Sequence, residues 1–521
     1  MQSPQDTPGA QTGRFTGHSP LDGAPLEPVR VDSHASLAAT LTQAREAQQA
    51  WAQRPPHERA KRIKRLRKRL LQRAPELAEV MRAELGKCAT ESYTSELIPS
   101  ADLFTYWARR GPRLLEGTTN RLNPVNFPGK IGTTTLQPKG VIGLISPWNF
   151  PVAIPLRTLV PALIAGNAVV FKPSEYAPRT GRMVAELFAE LDVPGLVGLV
   201  QGDGRMGAAL LEAGVDHVVF TGSVEAGRQV SHACASKFLQ PSLELGGKDA
   251  AIVLADADIE RTVEGLVWGA FFNAGQNCAS IERVYVVETL APKLIEAVVR
   301  RTQQLVVGDG QRELFDVGPL VRAAGLETVT QQVHDAIAQG ATLRTGGQPT
   351  GVGLHYAPTV LTDVTDDMAV MHAETFGPVL PIASVRDANE AVARVNANAF
   401  GLTTSIWSRD LDAARRLAAQ IRTGVVTLNN HGFTAALPHA PWHGRGASGG
   451  GTTNSPYAFF DLVQPHYLLE DRARGPDLWW FPHNSALKRI SESMARLLAG
   501  SGHRLAALGA LLRAFPTRWR S

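Results

Sequence analysis

Apolar positions recur at helical spacing through a charged, Ala- and Leu-rich stretch from about Ser33 to Arg110, which predicts surface helices over Leu37 to Trp51 and Arg59 to Leu85. The second is interrupted near Pro75, because proline cannot donate to the helical ladder. From Ile131 to Pro147 the text becomes IGTTTLQPKGVIGLISP, and β-branched residues flanking a Pro-Lys-Gly turn predict a β-hairpin over about 131–146. Next come AVVFKPSE and a helix from about Thr180 to Leu191, GLVGLVQGDG and another helix, then HVVFTGS and a helix to about Phe238. Strands alternating with helices in this way predict a parallel sheet with crossover helices. A second α/β stretch runs from about Gly246 to His431, with strands such as AAIVLAD, RVYVVE and LPIASV, so two α/β domains are expected.

The two ends differ from this body. Residues 1–32 are polar and rich in Gly, Pro, Gln and Thr, with no apolar core for a signal peptide, and are expected to form a flexible tail. Residues 471–521 read as a basic amphipathic extension: Leu487, Ile490, Met494, Leu497 and Leu498 recur at helical spacing with Lys488, Arg489 and Arg496 between them, and the helix breaks near Gly500 to Gly502 before resuming. With Trp479, Trp480, Arg504, Arg513, Arg518 and Arg520, segment 472–521 suits either a peripheral contact with an anionic membrane or a helical hairpin packed on the subunit or its neighbour.

Composition narrows the function classes. A length of 521 residues exceeds what one hydrophobic core fills, and 44% hydrophobic with 19% charged residues excludes wholesale disorder. The formal charge of +5 gathers towards the ends, which gives no support to nucleic-acid binding. Cys88, Cys234 and Cys278 are too few for a disulfide framework and, like the fourteen histidines, show no metal-ligand spacing; no metal and a cytoplasmic setting are expected. No run approaches the roughly 18 to 20 apolar residues of a membrane-spanning helix.

Three short segments carry chemistry. In Gly275-Gln276-Asn277-Cys278 a glycine turn would let a carbonyl approach a thiolate, although a lone cysteine in apolar text is more often a small core residue. Glu244-Leu245-Gly246-Gly247-Lys248 places a carboxylate at a strand end, where it would activate water or merely pair with Lys248. In Pro147-Trp148-Asn149-Phe150-Pro151 two prolines restrain an amide suited to an oxyanion; the alternative is an ordinary turn.

These segments, in this order, together with Lys172-Pro173-Ser174-Glu175, Phe220-Thr221-Gly222-Ser223 and Glu374-Thr375-Phe376-Gly377-Pro378, resemble the signature set of the NAD(P)-dependent aldehyde dehydrogenase superfamily over roughly residues 33–470. The resemblance implies two Rossmann-like α/β domains, cofactor-binding (33–245) and catalytic (246–440), plus a β-hairpin oligomerisation element and a return over 441–470. It implies that Cys278 attacks an aldehyde, that Asn149 and the Cys278 N–H hold the oxyanion, and that water activated by Glu244 hydrolyses the thioester to an acid.

Carried over in the same way, Lys172 and Glu175 reach the adenosine ribose, Ser223 and its helix the pyrophosphate, and Glu374 the nicotinamide ribose. Pro147, Trp148, Ser174, Gly222, Gly246 and Phe376 complete the expected cofactor contacts. A glutamate at 175 competes with a 2′-phosphate and tilts the cofactor towards NAD, with NADP as the alternative. Gly202, Gly204 and Gly207 have GxGxxG spacing but read as a tight turn and close packing near the adenine.

Asn429 and Asn430 are expected to end a strand facing the site, Phe433 to line its entrance, and Cys88 and Cys234 to be core residues. The glycine-rich loop from Pro441 to Gly451 departs from the family wording, and a closing strand over about Tyr457 to Tyr467 would join a partner subunit's sheet alongside the hairpin, making a homodimer or homotetramer. The rival readings are a coenzyme A-acylating dehydrogenase, against which Glu244 argues, a catalytically idle relative, and a lipid-surface enzyme for long-chain aldehydes.

Overall fold

Thirteen strands form two sheets in the larger of two units, which comprises residues 13–116 and 136–464. The computed structural model describes residues 13–123, 127–500 and 504–518. Counting from the strand before the Asn149 loop, β1 is Val141–Ile145, β2 Ala168–Lys172, β3 Val197–Leu199, β4 His217–Thr221 and β5 Ser242–Glu244. Next come β6 Asp249–Val253, β7 Ile281–Val287, β8 Thr342–Thr345, β9 Thr359–Thr362, β10 Val379–Val385, β11 Thr403–Trp407, β12 Val425–Leu428 and β13 Gly449–Gly450.

The first sheet has the order β13-β5-β4-β1-β2-β3 and is parallel except for β13, which runs antiparallel to β5 with Gly449 opposite Glu244. The second has the order β8-β9-β10-β7-β6-β11-β12 and is parallel except at β8. Helices cover these sheets, and β2 and β6 are buried at every position, which explains why both read as unbroken apolar runs instead of alternating ones. The turns that follow β1, β2, β4 and β5 carry Asn149, Glu175, Ser223 and Gly246. Carboxyl ends of parallel strands are where ligands bind in such sheets.

Three expectations are corrected. Lys130–Pro138 does not fold back onto β1: it pairs with Thr118–Asn120, whereas β1 lies inside the six-stranded sheet between β2 and β4. The Lys139-Gly140 turn therefore changes sheets, and the fully apolar β1 is buried where a two-stranded ribbon could not bury it. The flexible tail fails over residues 13–32, since Arg14–Phe15 pairs with Val29–Arg30 and Phe15, Leu21 and Val29 are buried; residues 1–12 lie outside the described residues. Those apolar side chains are too widely spaced to show a period. The closing strand begins later than expected, at Val463–Asp471, after a helix over Ser455–Phe460.

The smaller unit, residues 117–135 and 465–518, holds a three-stranded sheet in the order Val463–Asp471, Lys130–Pro138, Thr118–Asn120. It also holds two helices, Ser485–Leu498 and Arg504–Ala514, that pack on each other, so the basic extension is a helical hairpin.

Candidate active site

Asn149 is held by a buried polar network. Its amide Nδ2 donates to the Gln276 carbonyl at 3.2 Å, and its own carbonyl accepts from Lys87 Nζ at 2.7 Å and from Asn273 Nδ2 at 3.2 Å. Lys87 in turn pairs with Glu96 at 2.8 Å, and Glu96 accepts the Val152 and Ala153 N–H groups at 2.8 and 2.9 Å, capping the helix Ala153–Ala165 that follows the loop. A primary amide has two N–H bonds. One ties Asn149 to the segment before Cys278.

That segment is strained. Asn273, Ala274 and Gly275 all have positive φ, of 54°, 56° and 70°, and only glycine adopts this region without steric cost. At Gly275 a side chain is excluded twice over, because a Cβ would stand 2.1 Å from the Gly377 carbonyl oxygen. Gln276 locks the turn by donating to the Asn273 and Pro319 carbonyls and accepting from the Val321 N–H. Cys278 emerges part-buried from this turn, and burial, together with the charges of Asp249 and Glu244, pushes its thiol up to about 12.

Glu244 ends β5 with its Oε1 buried and unpartnered. Lys248 does not pair with it: the ammonium lies 2.6 Å from Glu282, in a buried pair that also ties down Thr375. Burial pushes the Glu244 carboxyl well above the usual carboxylate range, opposed by the Arg157 guanidinium and by hydrogen bonds from Trp442 and Thr453. Arg157 is half-buried on an otherwise buried helix and makes no ion pair among the described residues, and its charge acts on both Glu244 and Cys278. Glu244 and Cys278 thus lie close enough for their charges to interact, and Asn149 is bonded to the turn that leads to Cys278.

The expected cofactor residues line up along the strand ends. Lys172 is buried at the end of β2, 3.5 Å from Glu175, whose carboxylate also accepts from Ser174 Oγ. Gly222 N donates to the Glu244 carbonyl, and Ser223 caps the helix Val224–Ala235, whose first-turn N–H groups have no intrahelical acceptors. Glu374 accepts the Gly247 N–H at 3.1 Å and is pushed up to about 7, chiefly by burial. A Cβ on Gly246 would stand 2.4 Å from Glu374 Oε1, and the rings of Trp148 and Phe376 meet edge to face at 5.6 Å. Pro147 begins the turn after β1, and Gly207 passes the Lys172 stem.

Comparison with known proteins decides what these features belong to. Residues 7–467 match the model of the aldehyde dehydrogenase family. The chain belongs to that family. It is 38% identical over 470 residues to a Methylomonas sp protein named 4,4'-diapolycopene aldehyde oxidase, covering 90% of this chain and 88% of the relative. A Mycobacterium ulcerans relative, whose name gives succinate semialdehyde and NADP(+), is 36% identical over 86% of this chain and 87% of its own. The crystal structure of an NAD-dependent aldehyde dehydrogenase from Sinorhizobium meliloti superimposes with a TM-score of 0.85 at 33% identity, covering 91% of this chain and 94% of that one. This aldehyde dehydrogenase is therefore an oxidoreductase of the aldehyde group that uses a nicotinamide cofactor.

Several residues of the aldehyde dehydrogenase site escape sequence reasoning. Lys87 and Glu96 hold the Asn149 loop from a distant part of the chain and carry no local signature, and Asn273, five residues before Cys278, bonds the Asn149 carbonyl. Arg157 did leave a signal, as the single charge in AIPLRTLVPALIA. Asn429 ends β12 at φ 51°, its side chain bonded to the Ser408 backbone. His431 bonds the Ala279 carbonyl beside Cys278, and Phe433 stacks on Trp268. Cys88 and Cys234 are buried.

Proposed function

We propose that this aldehyde dehydrogenase oxidises its substrate through Cys278, with Asn149 holding the oxyanion and Glu244 activating the hydrolytic water. The observation that carries the reading is the convergence of Cys278 with a buried Glu244 whose Oε1 has no partner. Cys278 gives its thiol proton to solvent as Sγ bonds the carbonyl carbon and the C=O π pair moves to oxygen, where the second N–H of Asn149 and the Cys278 backbone N–H meet the new oxyanion. A nicotinamide cofactor, held by the residues at the strand ends, would supply the hydride acceptor. Glu244, kept basic enough by burial, takes a proton from water as the C–S bond breaks, giving the free acid and restoring the thiol.

The chain's own residues fit such a cofactor. The buried Lys172 and Glu175 pair would hold the adenosine ribose, the start of the Ser223-capped helix the pyrophosphate, and Glu374 the second ribose, with Pro147, Trp148, Ser174, Gly222, Gly246 and Phe376 walling the groove. Glu175 beside Lys172 favours NAD, because its carboxylate would repel a 2′-phosphate. The six-stranded sheet serves as cofactor domain and the seven-stranded one as catalytic domain. Three free thiols support a cytoplasmic setting.

For the substrate, a row of rings supports an apolar aldehyde: Phe150, next to Asn149, stacks on Phe272 at 6.3 Å, Phe272 lies 4.8 Å from Trp268, and Trp268 lies 5.5 Å from the exposed Phe433. The Methylomonas relative's name agrees. A second reading, an aldehyde that carries its own carboxylate, rests on Arg157, and the Mycobacterium relative's name agrees with that one. Steady-state oxidation of apolar and carboxylate-bearing aldehydes with both cofactors separates them. An Arg157→Leu variant that loses only the acidic substrates supports the second.

A homodimer or homotetramer is supported by the strand Val463–Asp471, one edge of which pairs with no strand among the described residues, and by the exposure of Tyr467, Leu468 and Leu469. Light scattering on Leu468→Lys, expected to lower the mass, tests it.

A further inference from the structure

The helical hairpin at the C-terminus lies beyond the family match, which ends at residue 467, and nothing in the oxidation of an aldehyde uses it. Leu487, Ile490, Ala507 and Ala514 face inwards, where Arg518 is also buried, donating to the Leu478 carbonyl. The outward side of the second helix is apolar. Leu505, Leu508, Leu512 and Phe515 are exposed at a spacing of three, four and three residues, so they form one stripe, with Leu505 87% exposed. Trp480, Phe481 and Leu498 add to it from the flanking segments. Among the described residues no helix is long and apolar enough to cross a membrane.

The charge of the same segment says what covers the stripe. Residues 472–521 contain nine Lys and Arg against Asp477 and Glu492, a formal +7. The full chain carries +5, so the other 471 residues together are slightly acidic. A stripe of leucines on a hairpin that also exposes Lys488, Arg489, Arg496, Arg504 and Arg513 suits an anionic lipid surface, where the apolar side chains enter the acyl boundary and the cations meet headgroup phosphates. A second copy of the same face would bring like charges together and is disfavoured.

We propose that the helix pair Ser485–Leu498 and Arg504–Ala514 is a peripheral docking element for anionic phospholipid bilayers. It binds without crossing, and its binding is independent of the Cys278 assignment, so failure of either reading leaves the other testable.

The test is co-sedimentation of the full-length protein with vesicles of phosphatidylcholine alone and of phosphatidylcholine with phosphatidylglycerol. Binding to the anionic vesicles should exceed binding to the neutral ones by about tenfold or more and fall with salt. Two double variants, Leu505→Glu with Leu512→Glu and Arg489→Glu with Arg496→Glu, should each abolish it while oxidation of a short aldehyde and the circular dichroism spectrum stay as in the parent. Absence of binding to anionic vesicles, or binding indifferent to both variants, would overturn the proposal. So would a fall in oligomeric mass in the leucine variant, which would make the stripe a contact between copies.

Discussion

Lys87 and Glu96 form an ion pair 2.8 Å long with side chains 1% and 0% exposed, and the same ammonium holds the carbonyl of Asn149. Each partner also bonds the loop that carries Asn149: Lys87 the Asn149 carbonyl, Glu96 the Val152 and Ala153 N–H groups. Two charges are thus buried to fix the position of one amide.

Breaking that pair leaves an uncompensated buried charge. Glu96→Ala should lower the stability of the fold by about 3–5 kcal/mol. Denaturant unfolding measures the loss, and kcat should fall with it because Asn149 is no longer held. Stability unchanged within about 1 kcal/mol would show the pair to be dispensable.

Cys278→Ala should abolish aldehyde-dependent NADH formation. Glu244→Gln should keep a single burst of NADH, from acylation, and slow the steady state by about 10²–10⁴-fold, since the water then lacks its base. Rapid-mixing fluorescence distinguishes the two, and an E244Q enzyme with full steady-state turnover would remove Glu244 from the mechanism.

The pH dependence follows from burial. Glu91 and Glu374 are pushed up to about 7 and Asp249 to about 8, so the folded state keeps protons that the unfolded chain has already released. Their stabilising contribution is therefore complete below the unfolded values and is lost as pH rises through about 7 to 8. Glu91→Gln should flatten the decline in stability between pH 4.5 and about 7, by about 3 kcal/mol at most. Turnover should move the other way, rising with pH as Glu244 deprotonates, and that limb should vanish in E244Q.

Gly275 allows no side chain. With φ at 70° and a Cβ that would stand 2.1 Å from the Gly377 oxygen, Gly275→Ala must shift the Cys278 turn or the Gly377 backbone. The expected result is a loss of about 2–4 kcal/mol in stability together with most of the activity. A G275A enzyme with parental Tm and kcat would contradict the packing described.

Glu175→Ser should raise kcat/KM for NADP by about tenfold or more, by removing the carboxylate proposed to face the 2′ position, while Lys172 stays to receive a phosphate. Initial rates with the two cofactors report it. No change in the ratio would place the ribose elsewhere.

The sequence by itself determined the alternation of strand and helix and the two sheets, because strand and helix periods are local, and it singled out Asn149, Glu244 and Cys278 as candidates, because the proposed chemistry needs particular side chains in rigid turns. It could not say that β1 leaves Lys130–Pro138 for the six-stranded sheet, since a turn such as Lys139-Gly140 reads the same whether the chain folds back or crosses over. Nor could it pair Lys248 with Glu282 in place of Glu244, or bring Lys87, Glu96 and Arg157 to the site, because those meetings join residues far apart in the chain. Burial is a property of the packed molecule, and burial is what leaves Glu244 Oε1 without a partner and pushes the carboxyl above the usual carboxylate range.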